Sequence, residues 1–339
     1  MIRLLLKPIL TLFFSFIGIT IVFFTLTRLV PGDPVEVHFG SIAKDTIEYQ
    51  EALEYLGVNE DILTQYFIYI GNILSGDLGR SSITNNFVLD DFTTFFPATL
   101  ELGIMASIIA LFFGILIGVK AAINRGTWFD NLVMSLSLVG YSMPIFWWGM
   151  LLVLLFSLTL GLTPVAGRLD FIYDIEPITG LMLIDTLIAY PKYQLDAFYD
   201  AINHLILPSV VLATVPLAAI ARITRSSMID VINAEYMLTA RSKGVAEWKI
   251  IWIHGLRNAL IPIVTVIGLQ TSVLLTGAIL TETIFAWPGV GKWMVEAILR
   301  RDIPTLQGGV LLISGFVILI NISVDMVYGS INPKLRRLK

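Results

Sequence analysis

The sequence contains no cysteine, which excludes a disulfide framework, a thiolate metal site and a thiol nucleophile. Histidine is nearly as scarce, and His38, His204 and His254 stand far apart in the chain. A metal site needs several ligands converging on one point, so none is expected. No G-x-S-x-G elbow is present, and no other constellation for hydrolysis replaces it. Charged residues make up only 14% of the chain, and the net charge of −4 says little as a sum. Apolar residues fill the gap: 56% of the 339 positions are hydrophobic and the mean hydropathy is +0.82. Such a chain has too little polar surface to cover its apolar content as a soluble domain does. Runs of roughly twenty apolar residues recur, the length that a hydrocarbon layer of about 30 Å demands of a helix.

A nucleotide loop is also missing. Gly289-Val290-Gly291-Lys292 invites that reading, but no glycine stands five places before Gly291. Trp293 follows where a Ser or Thr should meet magnesium. The segment reads as a turn, and the chain is expected to hold no ATP, cofactor or catalytic site of its own.

In chain order, Arg3 and Lys7 precede an apolar run over 9–26, followed by Leu29-Val30-Pro31-Gly32-Asp33-Pro34. The run is long and no A-x-A cleavage site follows it, so an uncleaved first span is expected over residues 1–30 rather than a removed signal. Residues 31–98 form a polar, helical segment. A short helix is expected over 46–55 and another over 60–74, the second capped by Asn59. This segment is rich in acids but carries only Lys44 and Arg80 as strong bases, which marks the non-cytoplasmic side. Further spans are expected at 99–122, 132–160, 206–221, 260–280 and 309–328. Pro144 should kink the third, because its ring removes a backbone donor and clashes with the preceding turn.

Orientation follows from the bases. With alternate connections cytoplasmic, fourteen of the 22 Lys and Arg fall inside, including Lys120, Arg125, Arg222 and Arg225 and the tail residues Lys334, Arg336, Arg337 and Lys339. The eight outside bases are spread over far longer loops. Six spans with both termini cytoplasmic is the reading. Ionisable residues at membrane depth are costly and are functional candidates by default. Glu101 and Glu282 fall near the external ends of their spans and Asp325 near the inner end of the last. Local capping or pairing at a wet interface explains them; the sharper alternative places Glu101 and Glu282 around the outer mouth of a translocation path.

Between the fourth and fifth spans lies Glu235–Thr265, basic and amphipathic and then wholly apolar. Ile229, Ile232, Tyr236 and Ala240 recur at helical spacing, and Val245, Trp248, Ile251, Trp252 and Leu256 do so again after Gly244. Two short helices joined at a glycine are expected, because glycine tolerates the left-handed backbone of a sharp turn. Arg241, Lys243, Lys249 and Arg257 decorate the pair. Charges alone would make it an interfacial helix. However, Thr239-Ala240-Arg241-Ser242-Lys243-Gly244 with His254-Gly255-Leu256-Arg257-Asn258 resembles the cytoplasmic coupling ("EAA") loop of permease subunits of binding-protein-dependent ABC importers. Leu238 stands where the general pattern has glutamate, a departure typical of the peptide and nickel branch.

The resemblance runs from Pro31-Gly32-Asp33-Pro34 to Asp325-Met326-Val327-Tyr328. Gly140-Tyr141-Ser142-Met143-Pro144 with Phe146-Trp147-Trp148, and Thr179-Gly180-Leu181-Met182-Leu183-Ile184-Asp185, look like the first membrane subunit of dipeptide importers rather than the oligopeptide one. It implies an all-α polytopic bundle of the type I importer class in the bacterial inner membrane, with core spans over 99–339 and a coupling loop at about 226–258. The implied partners are a second permease subunit, two cytoplasmic ATPases that carry ATP and magnesium, and an external peptide-binding protein; no nucleic acid partner is implied. Tyr236, Thr239, Ala240, Arg241, Lys243 and Gly244 are the implied ATPase-coupling residues, with Arg241 and Lys243 placed to pair with acids on the partner. Oligopeptide, nickel, haem or glutathione-like cargo stays open. An ion-coupled transporter is the rival class, but it would want ionisable residues at span centres and inverted repeats, and neither is evident.

Overall fold

A computed structural model describes residues 2–29, 32–39 and 43–331. The tail bases 334–339 and Pro31 lie outside the described residues, as do the side chains of Arg3, Lys7 and Asp325. Fifteen helices carry the described chain: α1 Ile2–Leu29, α2 Pro34–Phe39, α3 Ile47–Leu56, α4 Ile62–Leu74, α5 Val88–Ile123, α6 Trp128–Ser142, α7 Ile145–Leu152, α8 Met182–Ile188, α9 Tyr190–Tyr193, α10 Asp196–Ile232, α11 Glu235–Ser242, α12 Glu247–Lys249, α13 Leu256–Ile284, α14 Val290–Arg300 and α15 Ile303–Ile331. Wider π-helical turns follow α7 at Val153–Thr159 and α12 at Ile250–Gly255. Among the described residues there is one isolated bridge, Arg80 with Phe87, and no strand.

Among the described residues, four segments are long and apolar enough to cross a bilayer: α5, α10, Glu247–Gln270 and Ile303–Val324. Phe13–Leu29 of α1 is a shorter apolar helix. The third expected span is not simply kinked. Its halves, α6 and the Ile145–Thr159 segment, meet at 110°. Pro144 causes the break: a residue before proline is pushed out of the helical region, and Met143 has ψ 132°. Pro144 itself takes ψ 129° and opens the next helix.

The chain divides into two compact units. The first comprises residues 1–97 and 289–319. Its small helices are capped by side chains: Thr46 accepts from Tyr49 N, and Asp61 accepts from Leu63 N and Thr64 N. The cap of α4 is therefore Asp61 and not Asn59, since only the former stands one residue ahead of the first helical turn with its carboxylate reaching N2 and N3. Val88, Phe92, Val290, Trp293 and Met294 form its buried cluster. Asp302 ties the segment before α5 to the start of α15, accepting from Ser81 Oγ at 2.5 Å, Ser82 N at 3.1 Å and Thr305 Oγ1 at 2.7 Å. Gly289-Val290-Gly291-Lys292 is not a loop here. Gly289 caps α14, and Val290 and Trp293 are buried.

The second unit comprises residues 98–288 and 320–339. Its centre is α10, whose buried face meets α5, α6 and α13. Gly114 and Gly118 let α5 lie against α10: a Cβ at Gly118 would stand 2.6 Å from Ala221 O and from Thr224 Cβ. This is the small-xxx-small device of membrane helices, where close backbone approach replaces a hydrophobic drive that lipid does not supply. Overfilling that seam would cost about 1–3 kcal/mol.

Candidate functional site

The loop between α10 and α13 contains every expected coupling residue. Its path is set by a glycine turn. Gly244 has φ 75°, Gly244 N donates to Arg241 O at 2.9 Å and Val245 N to Ala240 O at 3.3 Å. These two bonds form a Schellman cap, which ends α11 and sets the chain off in a new direction. Arg241 then bridges the turn, with Nη2 2.9 Å from Glu247 Oε1. Both side chains are well exposed, so the pair guides geometry more than it stabilises. Arg241 is thus engaged within the chain, whereas Lys243 is exposed.

Anchoring comes from a residue the helical spacing passed over. Met237 is fully buried and Tyr236 is 45% exposed. Gly255 has no side chain of its own, and its Cα lies under the methyls of Met228 and Met237; an added Cβ would be 3.1 and 3.5 Å from them. Tyr236 is held instead at its tip, where Oη accepts from Asn258 Nδ2 at 3.0 Å. Trp248 and Trp252 also face outward, at 59% and 39% exposure, while Ile250 and Ile251 are buried. Ile251 is buried as the spacing expects; the π-helical turn at 250–255 adds a residue there, so that Ile250 is buried and Trp252 is carried outward. Leu238, Thr239, Ser242 and Lys243 remain exposed, with Ala240 half-buried.

Glu101 and Glu282 are both buried within the chain. They are 7% and 0% exposed. Glu101 Oε2 accepts from Arg168 Nη2 at 2.6 Å and Nε at 3.1 Å, and Oε1 accepts from Leu183 N at 2.8 Å. Glu282 Oε1 accepts from Thr99 Oγ1 at 2.6 Å. Trp287 joins the two acids' surroundings, donating from Nε1 to Ala98 O at 2.9 Å while the Arg168 guanidinium lies 5.6 Å from its ring centroid.

The 179–185 stretch supplies the remaining partners. Asp185, 2% exposed, accepts from Thr179 N, Thr179 Oγ1 and Gly180 N at 2.8, 2.7 and 3.0 Å. That folded turn presents Gly180 O to Arg168 Nη2 at 2.8 Å and Leu183 N to Glu101. One buried network therefore joins the second-unit part of α5, the 167–183 loop and the end of α13. Burying a charge pair is tolerated only when its lone pairs and protons are satisfied in this way.

A second buried pair was not anticipated. Asp130, 1% exposed in the first turn of α6, binds Arg225 of α10 through both carboxylate oxygens, Oδ2 to Nη2 at 2.6 Å. Gly126 N also donates to Oδ2 at 3.0 Å. The pair fixes the α5–α6 turn against α10, two residues for which the sequence offers no local spacing signal.

Residues 110–337 match the family described as binding-protein-dependent transport system inner membrane component. The chain is 53% identical over 322 residues to a di/tripeptide transport system permease protein of Pseudomonas aeruginosa, covering 95% of each. It is 48% identical over 328 residues to a dipeptide transport system permease protein of Escherichia coli K12, covering 96% of each. A probable D,D-dipeptide permease of the same E. coli strain is 39% identical over 94% of this chain and 93% of its own.

Proposed function

The chain belongs to the family of binding-protein-dependent transport system inner membrane components, and we propose that it is one membrane subunit of an importer of dipeptides. The observation that carries the cargo is the near full-length likeness to peptide permeases, at up to 53% identity. The subunit is a conduit and not an enzyme. Hydrolysis belongs to two cytoplasmic ATPases, and α11 with the Gly244 turn docks into them. A second permease subunit completes the path, and an external binding protein delivers peptide.

The loop geometry supports this reading. A short helix anchored by Met237 and capped at Gly244 presents Leu238, Thr239, Ser242 and Lys243 outward, small and polar enough to seat in a partner's groove. It leads through the π-turn directly into α13, so displacement of α11 acts on a spanning helix. ATP-driven closure would then rock the bundle between two conformations of different affinity, which is how energy enters transport. Glu101 and Glu282 serve in this scheme by holding the 167–183 loop and the end of α13, and not by meeting peptide.

The test is uptake of a labelled dipeptide into proteoliposomes containing this subunit, the second permease and both ATPases, with loaded binding protein outside. Uptake should require ATP and binding protein together. Accumulation driven by an ion gradient without ATP, or transport of another cargo with no dipeptide uptake, would overturn the proposal.

A further inference from the structure

The first unit encloses a cavity of about 190 Å³ that none of these roles uses. It is built by residues 24–80, ahead of the stretch that matches the family, and is closed by Pro304–Leu311 of α15. Phe24, Ile68, Leu78 and Leu311 give it apolar walls. Two guanidiniums, Arg28 and Arg80, line it against one carboxylate, Asp77. The Arg28 guanidinium lies 3.5 Å over the Phe24 ring and donates to Phe24 O and Gln65 Oε1. Among the described residues no carboxylate pairs with it.

The one acid on the wall is already engaged. Asp77 accepts from Tyr55 Oη and from Gly79 N, both at 2.9 Å. Tyr69 stacks on the same Phe24 ring at 5.8 Å, and its buried hydroxyl faces the Gln307 side chain without a hydrogen bond of normal geometry. His38, on the same wall, has its pKa lowered by burial and by the Arg28 charge.

The Arg28 guanidinium, exposed and without a carboxylate, and the buried Tyr69 hydroxyl beside Gln307 leave donor capacity that a bound anion would use. The volume equals about six waters at roughly 30 Å³ each, enough for a headgroup and a few carbons. We propose that this cavity binds an anionic group on an apolar body, its carboxylate or phosphate held by Arg28 and the Tyr69 hydroxyl and its hydrocarbon against Phe24, Ile68 and Leu311. An acidic lipid and the carboxyl end of a small apolar peptide share this chemistry.

The test is equilibrium binding to the purified full chain in micelles, with native mass spectrometry for stoichiometry. The probes are phosphatidylglycerol against phosphatidylcholine with identical tails, and Leu-Leu against its methyl ester. One site should prefer an anionic probe over its matched control. Preference for phosphatidylglycerol alone identifies a lipid site, and preference for Leu-Leu alone a peptide site. Arg28→Gln should weaken binding about tenfold to a hundredfold and Tyr69→Phe about twofold to tenfold. Tyr69→Phe removes one oxygen and keeps the shape, so it reads the site even if Arg28→Gln fails to fold. Equal binding of each anion and its control, or parental affinity in both variants, would overturn the proposal. Neither arm depends on transport, so its failure is separate from failure of the importer reading.

Discussion

Glu101 is the residue whose environment says most about its role. Both its oxygens are committed, to Arg168 and to Leu183 N, and the pair is buried on both sides. Glu101→Ala would leave the Arg168 guanidinium in a dry site without its anion, a loss of about 3–5 kcal/mol for breaking such a pair. Glu101→Gln keeps the acceptor for Leu183 N but still strips the charge. Thermal unfolding in detergent checks this: Glu101→Ala should fall furthest, and Glu101→Ala with Arg168→Leu should recover part of the loss. If the single variant unfolds like the parent while peptide uptake is lost, Glu101 acts on peptide and not on structure. The acids themselves were legible in the sequence as costly residues near span ends. Arg168, 67 residues away, was not, since nothing local announces which base a buried acid will meet.

At the scale of elements, the Gly244 turn was readable from one residue type, because few side chains other than glycine take φ 75° without strain. The phase of the following helix was not. A π-turn adds a residue without any mark in the hydrophobic pattern: Ile251 is buried as the spacing expects, but Ile250 is buried beside it while Trp248 and Trp252 face outward. Two substitutions separate the turn from the face. A Cβ at Gly244 would meet no neighbour within 4 Å, so the penalty of Gly244→Val comes chiefly from the left-handed backbone, about 1–3 kcal/mol. Ala240→Trp instead enlarges a half-buried position beside the cap, with an overfilling cost of roughly 1–3 kcal/mol where the site packs like a core. A coupling free energy is of the same size, so either change can erase it. Both variants should insert and assemble, yet lose ATPase stimulation by loaded binding protein and lose uptake. Parental stimulation in both would reduce α11 to an interfacial helix.

At the scale of the whole chain, the outcome turns on the 110° break between α6 and α7. Either the bent pair crosses the membrane once, or it enters and returns, and the two cases invert every later loop. If it crosses, the 161–195 loop lies outside and α10 carries the chain back in, placing Arg241, Lys243, Lys249 and Arg257 in the cytoplasm. If it returns, those four bases lie outside, against the retention of Lys and Arg on the cytoplasmic side of short loops. The base-poor 161–195 loop, with only Arg168 and Lys192, would then lie inside. The crossing reading satisfies both loops at once. A reporter active only outside the membrane, fused near Glu60, Lys192 or Arg241, decides between them. Glu60 should report active in either case, because it precedes the break, and so controls for expression. Activity at Lys192 with silence at Arg241 establishes that the bent pair crosses the membrane once. The reverse pattern would make the bent pair a re-entrant loop and would carry α11 away from any cytoplasmic ATPase.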